Sequence, residues 1–231
     1  PPAPLKAPRT PNPEPRTRPM DLTDRRNEYA GEPLDKTSAA SDPLAQFHRW
    51  MDEALAAQVN EPTAMTLSTV DAEGHPAARV VLLKEATAEG FCFYTNYESD
   101  KARQLEAHPH AALTFFWPEL SRQVRVCGPV GRTSADEARR YFATRPRGSQ
   151  LGALASDQSR VIDSRRVLDE RLVSLERDYA GREVPMPAHW GGYRLRPVSY
   201  EFWQGRENRL HDRLRYRFGD DDQWMIERLA P

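Results

Sequence analysis

The sequence predicts an α+β fold in which a mostly antiparallel sheet closes into a small β-barrel with helices packed outside. Three observations predict it. Strand-like runs follow one another through short, turn-rich links. Helical segments interrupt them without the regular alternation of a parallel sheet, and no internal repeat is visible.

Asp42-Pro43 opens the first helix, with Asp as N-cap and Pro at the first helical position. Leu44, Phe47, Met51 and Leu55 then recur at helical spacing to about Val59. TAMTLSTV (63–70) and ARVVLLKEA (78–86) read as strands joined by the hairpin link DAEGHP, and GFCFYTN (90–96) follows. Ser99 is placed to cap a short helix, DKARQLEA, which His108-Pro109 ends. AALTFFW (111–117) and RQVRVCGPVGR (122–132) are two more strands. Ser134 and Glu137 fit a capping box, each side chain satisfying the other's backbone N–H, and open a helix towards Thr144. A polar connection over 145–160 leads to a longer amphipathic helix. Its apolar side carries Val167, Leu168, Leu172, Leu175 and Tyr179, with Gly181 at C′. GGYRLRPVSYEFWQG, HDRLRYRF and QWMIERLA complete the sheet, the last two joined by GDDD.

The 231 residues allow one sizeable domain, and 39% apolar residues are enough for its core. The first 19 residues, PPAPLKAPRTPNPEPRTRP, hold a single large aliphatic side chain, Leu5. Such a segment cannot bury enough apolar surface to offset its ordering entropy, so a disordered arm is expected over 1–19 and the folded domain over 20–231. Met20 follows directly, which makes an upstream extension of the functional start one reading of the arm. The arm lacks the apolar run of a signal peptide. A net charge of -1 argues against a general nucleic-acid binder, and no apolar stretch approaches a membrane span of about 20 residues. Cys92 and Cys127 lack metal-type spacing and point to a reducing, cytoplasmic setting.

Of 33 basic residues, only Lys6, Lys36, Lys84 and Lys101 are lysine. If Arg209 to Phe218 is extended, Arg209, His211, Arg213, Arg215 and Arg217 share one face, opposite Leu210, Asp212, Leu214, Tyr216 and Phe218. That basic face meets either water or an anionic ligand. Tyr141 and Arg145 are four apart on a predicted helix, with Ser149 shortly after. Together with Lys84 they form a donor set suited to a phosphate dianion. No metal site is read: His108 and His110 sit in a helix-terminating link without acidic or Cys partners. Dinucleotide, P-loop and nucleophile-elbow motifs are absent, so a bound cofactor is expected to carry the reaction.

RNEY, RVVLLK, FYTNYESDK, RQVRVCG, YFATRPRGSQLGALASDQS, HWGGYRL, EFWQGRENRLHDR and the terminal ERLAP carry a family resemblance from about Arg26 to Pro231. In these motifs the chain resembles the pyridoxamine/pyridoxine 5′-phosphate oxidases, FMN-dependent enzymes with a split β-barrel. The resemblance implies a homodimer with FMN at the subunit interface. It also implies oxidation of pyridoxamine or pyridoxine 5′-phosphate by O2 to pyridoxal 5′-phosphate, with hydride passing from C4′ to flavin N5. Hydrogen peroxide is released, with ammonia in addition from the amine.

Residue by residue, the resemblance assigns Arg79, Val80, Val81, Leu82, Leu83, Lys84, Tyr94 and Thr95 to FMN-binding strands. It adds Lys101, Gln123, Gln158, Ser159, Trp203 and Arg213 as further FMN contacts. Lys84, Tyr141, Arg145 and Ser149 match the substrate-phosphate cradle. Arg209 and His211 match the catalytic residues that orient the substrate ring, and Arg26 and Tyr29 match a segment closing over the site. Asp100 stands where many relatives have arginine, which shifts the expected phosphate binding towards Lys101 and Arg79. Leu154 replaces a common tryptophan, expected to alter packing. Arg79 and Lys84 have opposite parity on a regular strand, so a bulge or a site shared between subunits is needed. Rival readings are a flavin or deazaflavin reductase of the same fold, a non-catalytic flavin or pyridoxal phosphate carrier, and an arginine-rich nucleic-acid module.

Overall fold

Helix α1 (Pro43–Ala56) begins where its capping chemistry requires: Asp42 accepts a hydrogen bond from the Leu44 N–H at 2.8 Å and Pro43 occupies the first turn. The computed structural model describes residues 22–24, 28–29, 31–219 and 223–231. The expected arm over 1–19, Arg26 and most of the GDDD link lie outside the described residues.

After α1 come β1 (Ala64–Val70), β2 (Pro76–Leu82), β3 (Glu85–Thr87) and β4 (Gly90–Asn96), then α2 (Asp100–Ala107) and the strands β5 (His110–Trp117) and β6 (Arg122–Arg132). Three helices follow, α3 (Ala135–Thr144), α4 (Arg147–Ala155) and α5 (Arg165–Asp178), before β7 (Trp190–Leu195), β8 (Ser199–Gln204), β9 (Asp212–Phe218) and β10 (Trp224–Leu229). Every strand pairing is antiparallel. The main path runs β10-β9-β8-β6-β5-β1-β2, and a branch, β3-β4-β7, joins it through β6. The sheet curls around the core as a split barrel, as expected.

β6 is the strand common to both branches. Arg122–Cys127 pair with β8, whereas Val130–Arg132 pair with β7. The switch falls at Gly128-Pro129. A Cβ on Gly128 would lie 1.8 Å from the Arg196 carbonyl oxygen, so only glycine lets the crossing chain approach this closely. The run expected as one strand over 191–205 therefore breaks at Arg196-Pro197, where proline removes a ladder donor. The run over 78–86 also breaks: the Leu83 N–H bonds the Thr63 carbonyl and the Lys84 N–H bonds the Cys92 carbonyl, so the chain leaves β1 and joins β4. The register of β2 on β1 is regular, without a bulge, and Arg79 stays on the less exposed side of β2 while Lys84 lies exposed beyond its end, so the two face different surroundings as alternation requires.

Two corrections concern helices. Residues 145–160 are not a simple connection, because α4 lies within them. Pro146, Gly148 and Gly152 mask it in sequence, and burial of Leu151 and Ala155 holds it in place. Residues 207–209 form a short 3₁₀ turn with Asn208 and Arg209 at φ 54° and 62°, so Arg209 does not share the face of β9. α5 matches its expected apolar stripe only in part. Leu172, Leu175 and Tyr179 pack inward, but none of the helix is fully buried.

The barrel core joins Phe47 and Trp50 of α1 to Phe91, Phe115, Trp117, Phe202 and Tyr216 of the sheet. Phe47 meets Phe91 edge-on at 4.8 Å and Trp50 meets Phe202 at 5.3 Å, so α1 closes one end of the barrel. Two buried polar tips are satisfied, since Trp117 Nε1 donates to the Pro62 carbonyl and the Tyr216 hydroxyl to the Ala40 carbonyl, whereas the Tyr193 hydroxyl has no partner. A second cluster outside the barrel, Phe142, Leu151, Val184 and Trp190, seats α3, α4 and α5. Phe47→Ala should destabilise the protein by about 3–5 kcal/mol in chemical denaturation, the cost of a cavity where aromatic rings converge. A loss under about 1 kcal/mol would show that α1 does not anchor the core.

Candidate active site

A cleft of about 740 Å³ opens between the edge of the sheet and the outer helices. It gathers Val80, Val81 and Leu82 from β2, Lys84 from the β2–β3 link, Tyr94 and Thr95 from β4 and Lys101 from α2. Tyr141 and Arg145 from the end of α3, Ser149 from α4 and Gln158 complete the expected residues on its walls. Eleven side chains scattered over 79 positions thus meet because β2, β4, α2 and the α3–α4 corner converge there.

At one end the chemistry centres on α2. The Lys101 ammonium donates to Gln158 Oε1 at 2.9 Å, and the Thr95 hydroxyl donates to the same oxygen at 3.1 Å. Burial, then the nearby Arg79, pushes the Lys101 pKa down. Ser159, at φ 71°, accepts from the Asp100 N–H through its hydroxyl. The N-cap Ser99 instead turns its hydroxyl to the Asn96 carbonyl and does not itself cap the helix. Arg79 is not on the cleft wall. Its guanidinium donates to the Leu67 carbonyl, the Thr69 hydroxyl and, at 2.7 Å, Gln104 Oε1. Asp100 pairs with Arg103, one turn along its own helix.

At the other end, Tyr94 and Tyr141 stack with centroids 4.1 Å apart, and Trp190 lies parallel to both. The Arg145 guanidinium carbon sits 4.8 Å from the Trp190 ring. Its Nη1 is buried with no hydrogen-bond partner, and burial lowers its pKa. No carboxylate lies within ion-pairing distance of Arg145 or Lys84 among the described residues, so two cations share this end without compensation. The expected sharing of a helix face by Tyr141 and Arg145 changes in detail. Arg145 is the C-cap, with extended backbone, and reaches the cleft from the turn into α4. Trp190 and Gln104 were not singled out from sequence. The indole sits in the HWGGYRL motif, but nothing local shows which rings it will meet.

The remaining expected residues gather elsewhere. Gln123, Trp203 and Arg213 are cross-strand neighbours on one rung of β6, β8 and β9. His211 packs 4.6 Å from Trp203, and Tyr29 stands edge-on to both rings at 5.5 Å. His211 Nδ1 accepts from the Arg206 N–H at 3.0 Å, which places the proton of the neutral ring on Nε2. Burial, reinforced by Arg209, lowers the His211 pKa. The Arg209 guanidinium carbon is 6.0 Å from the Tyr29 ring. Arg213 is tied to Glu201 at 3.0 Å and to the Ala230 carbonyl, and Arg215 and Arg217 both bind Glu227, whose carboxyl they hold down at about 2. The basic face of β9 is therefore largely neutralised. None of this cluster lines the cleft, and neither do Leu83 and Ser159. Leu154 packs against the second apolar cluster.

Residues 51–174 match the family model described as pyridoxamine 5′-phosphate oxidase, and residues 190–231 match that of a pyridoxine 5′-phosphate oxidase C-terminal dimerisation region. A Cyanothece protein named pyridoxine/pyridoxamine 5′-phosphate oxidase is 53% identical over 212 residues, spanning 92% of this chain and 99% of its own. A Burkholderia multivorans protein of the same name is 55% identical, over 91% of this chain and 99% of its own. Among solved structures, PhzG of Burkholderia lata, in complex with tetrahydrophenazine-1-carboxylic acid, superposes with a TM-score of 0.81 at 29% identity, covering 87% of this chain and all of that one. A pyridoxamine 5′-phosphate oxidase-related, FMN-binding protein of Nostoc punctiforme shares the fold, with a TM-score of 0.64 at 17% identity over 80% of this chain and 97% of its own. Matched along nearly its whole folded length in sequence and in fold, the chain belongs to the pyridoxine/pyridoxamine 5′-phosphate oxidase family of enzymes.

Proposed function

We propose that the chain acts as a homodimer that binds FMN and oxidises pyridoxamine 5′-phosphate or pyridoxine 5′-phosphate with O2. The products are pyridoxal 5′-phosphate and hydrogen peroxide, with ammonia in addition from the amine. The observation that carries this reading is the uncompensated Arg145 cation, with a buried N–H lacking any partner, beside Lys84, Tyr141 and Ser149. A desolvated cation of this kind is costly until a dianion arrives, and a phosphate monoester is a fitting dianion.

The donor set also fits FMN. Lys101, Gln158 and Ser159 gather at the start of α2, where ammonium, amide, hydroxyl and helix N–H groups suit a second phosphate. Bound there, FMN would supply the hydride acceptor and the route to O2. The protein's own share is positioning. Arg79, held by Thr69 and Gln104, keeps positive charge behind Lys101. Val80, Val81, Leu82 and Thr95 shape the floor near Tyr94, and Leu83 packs behind them in the core. Gln123, Trp203, Arg209, His211 and Arg213 would come from the second copy, together with Tyr29 and Arg26. Two features support that division: the cluster is absent from the cleft wall of its own chain, and it lies largely within the segment matching the dimerisation region. Arg209 and His211 would then orient the substrate ring so that its C4′–H points at the acceptor. A cytoplasmic setting belongs to the same reading: Cys92 and Cys127 are free thiols, and no helix among the described residues is long and apolar enough to cross a membrane.

The deciding experiment is an anaerobic titration of the purified protein with pyridoxamine 5′-phosphate, followed by air. The flavin absorbance should bleach and recover, releasing pyridoxal 5′-phosphate and peroxide; a bound flavin that stays oxidised sinks the assignment. In the same assay Arg209→Ala and His211→Ala should keep their flavin and lose turnover by on the order of a hundredfold. Colourless variants would mean that these residues hold cofactor instead.

Protonation of His211 would place a proton where the Arg206 N–H now points, so its ring should titrate below the ordinary 6.5. An NMR titration, with the resonance assigned through His211→Asn, measures this. A midpoint at or above 6.5 would contradict the partly buried, neutral ring. Arg145→Met should leave the substrate-free melting temperature unchanged or higher, because it removes an unpaired buried charge. A fall of more than about 4 °C would show that the guanidinium stabilises the fold by itself.

A further inference from the structure

The Arg145 side chain has no hydrogen bond and no ion pair among the described residues, yet a phosphate seat needs its guanidinium in one place. What touches it is aromatic. The Phe142 ring lies 5.5 Å from its guanidinium carbon and the Trp190 ring 4.8 Å. Trp190 is only 6% exposed and packs edge-on against Phe142 at 5.0 Å. The same indole lies parallel to Tyr94 at 5.4 Å and to Tyr141 at 6.1 Å, each within 8° of coplanar.

Trp190 belongs to the sheet, not to the outer helices. It opens β7, opposite Asn96 of β4, and its backbone N–H donates to the Pro187 carbonyl. Two residues on, Gly192 faces Tyr94, and a Cβ there would lie 2.8 Å from the Tyr94 ring. That gap lets Tyr94 lie flat on β7 alongside the indole. Arg145 and Tyr141, in contrast, come from the end of α3, which is seated on the sheet through the small cluster around Trp190.

We propose that Trp190 is a positioning residue of the phosphate seat: its indole fixes the Arg145 guanidinium and the Tyr141 ring relative to the sheet, so the preference for a 5′-phosphorylated ligand depends on it. The assignment rests on the phosphate-seat reading above. The lowered pKa of Arg145 agrees, since a desolvated cation gains more from an aromatic face than a hydrated one does.

The test compares binding of pyridoxal 5′-phosphate and of pyridoxal to the purified holoprotein and to Trp190→Phe, Trp190→Leu, Arg145→Met and the double variant Trp190→Leu/Arg145→Met. Trp190→Leu should weaken the phosphorylated ligand about tenfold, the scale of one desolvated cation–aromatic contact, and leave pyridoxal within about twofold. Trp190→Phe, which keeps a ring, should recover most of that loss. On the Arg145→Met background, Trp190→Leu should add less than about twofold, because coupled residues are not additive. Equal weakening of both ligands by Trp190→Leu, or a full tenfold loss persisting without Arg145, would reduce the indole to packing and overturn the proposal. Equal wild-type affinity for the two ligands would remove the phosphate seat and the proposal together. A wild type that prefers the phosphorylated ligand but oxidises no pyridoxamine 5′-phosphate would defeat the oxidase reading while supporting this one.

Discussion

β6 has to serve two sheets at once, and the rest of the molecule is arranged by how it does so. On one edge it pairs continuously with β5; on the other it gives its first half to β8 and its last three residues to β7. Gly128 is the point of exchange, where the crossing backbone comes too close for any side chain. β4 reaches the main sheet only through β7, so the placement of Tyr94 and Thr95 relative to β2 is inherited from this exchange. The cleft is the space the two branches leave between them, and the outer helices wall it.

Charge is distributed with a similar economy. The chain is 29% charged with a net charge of -1, and many arginines among the described residues face carboxylates. Arg194 contacts Glu85 and Glu137, Arg213 contacts Glu201, and Glu227 takes both Arg215 and Arg217. Such partly exposed pairs add little stability each, but they remove stray positive potential from the surface. Against that background Arg145 stands out, because one of its guanidinium nitrogens is buried without a partner. Desolvating a cation without a partner costs free energy, so its persistence in a cleft points to a bound anion as the missing counter-charge. The strained turn at Asn208 and Arg209 follows the same pattern: left-handed backbone at two successive non-glycine residues is unfavourable, and it presents Arg209 beside Tyr29 and His211.

The aromatic groups divide the labour between fold and site. Phe47, Trp50, Phe91 and Phe202 face inward and make the core, whereas Tyr94, Tyr141 and Trp190 form a stack on the outside of the barrel. Stacked rings lose little conformational entropy on ordering and so make a rigid wall, which a positively charged seat needs if it is to select a ligand by geometry.

Much of this was legible in the sequence. Asp42-Pro43 and the Ser134–Glu137 box mark helix starts by local hydrogen bonding, and both caps are present. Period-two runs located the strands, because alternation is set by the pleat itself. The donor set Lys84, Tyr141, Arg145 and Ser149 was visible as chemistry, and the motifs that carry the family resemblance are continuous in the chain. Tertiary structure decided the rest. α4 escaped because its proline and glycines weaken the local signal, and burial of Leu151 overrides them. Arg209 was assigned to the strand because alternation cannot register a positive φ. The parity conflict between Arg79 and Lys84 dissolved because the two do not share a site wall: Lys84 lines the cleft, whereas Arg79 turns to Thr69 and Gln104. Above all, the sequence could not show that the expected residues fall into two separate groups or that Trp190 holds one of them together. Which side chains meet depends on strand order across β6, and strand order is set by long-range packing that no local period encodes.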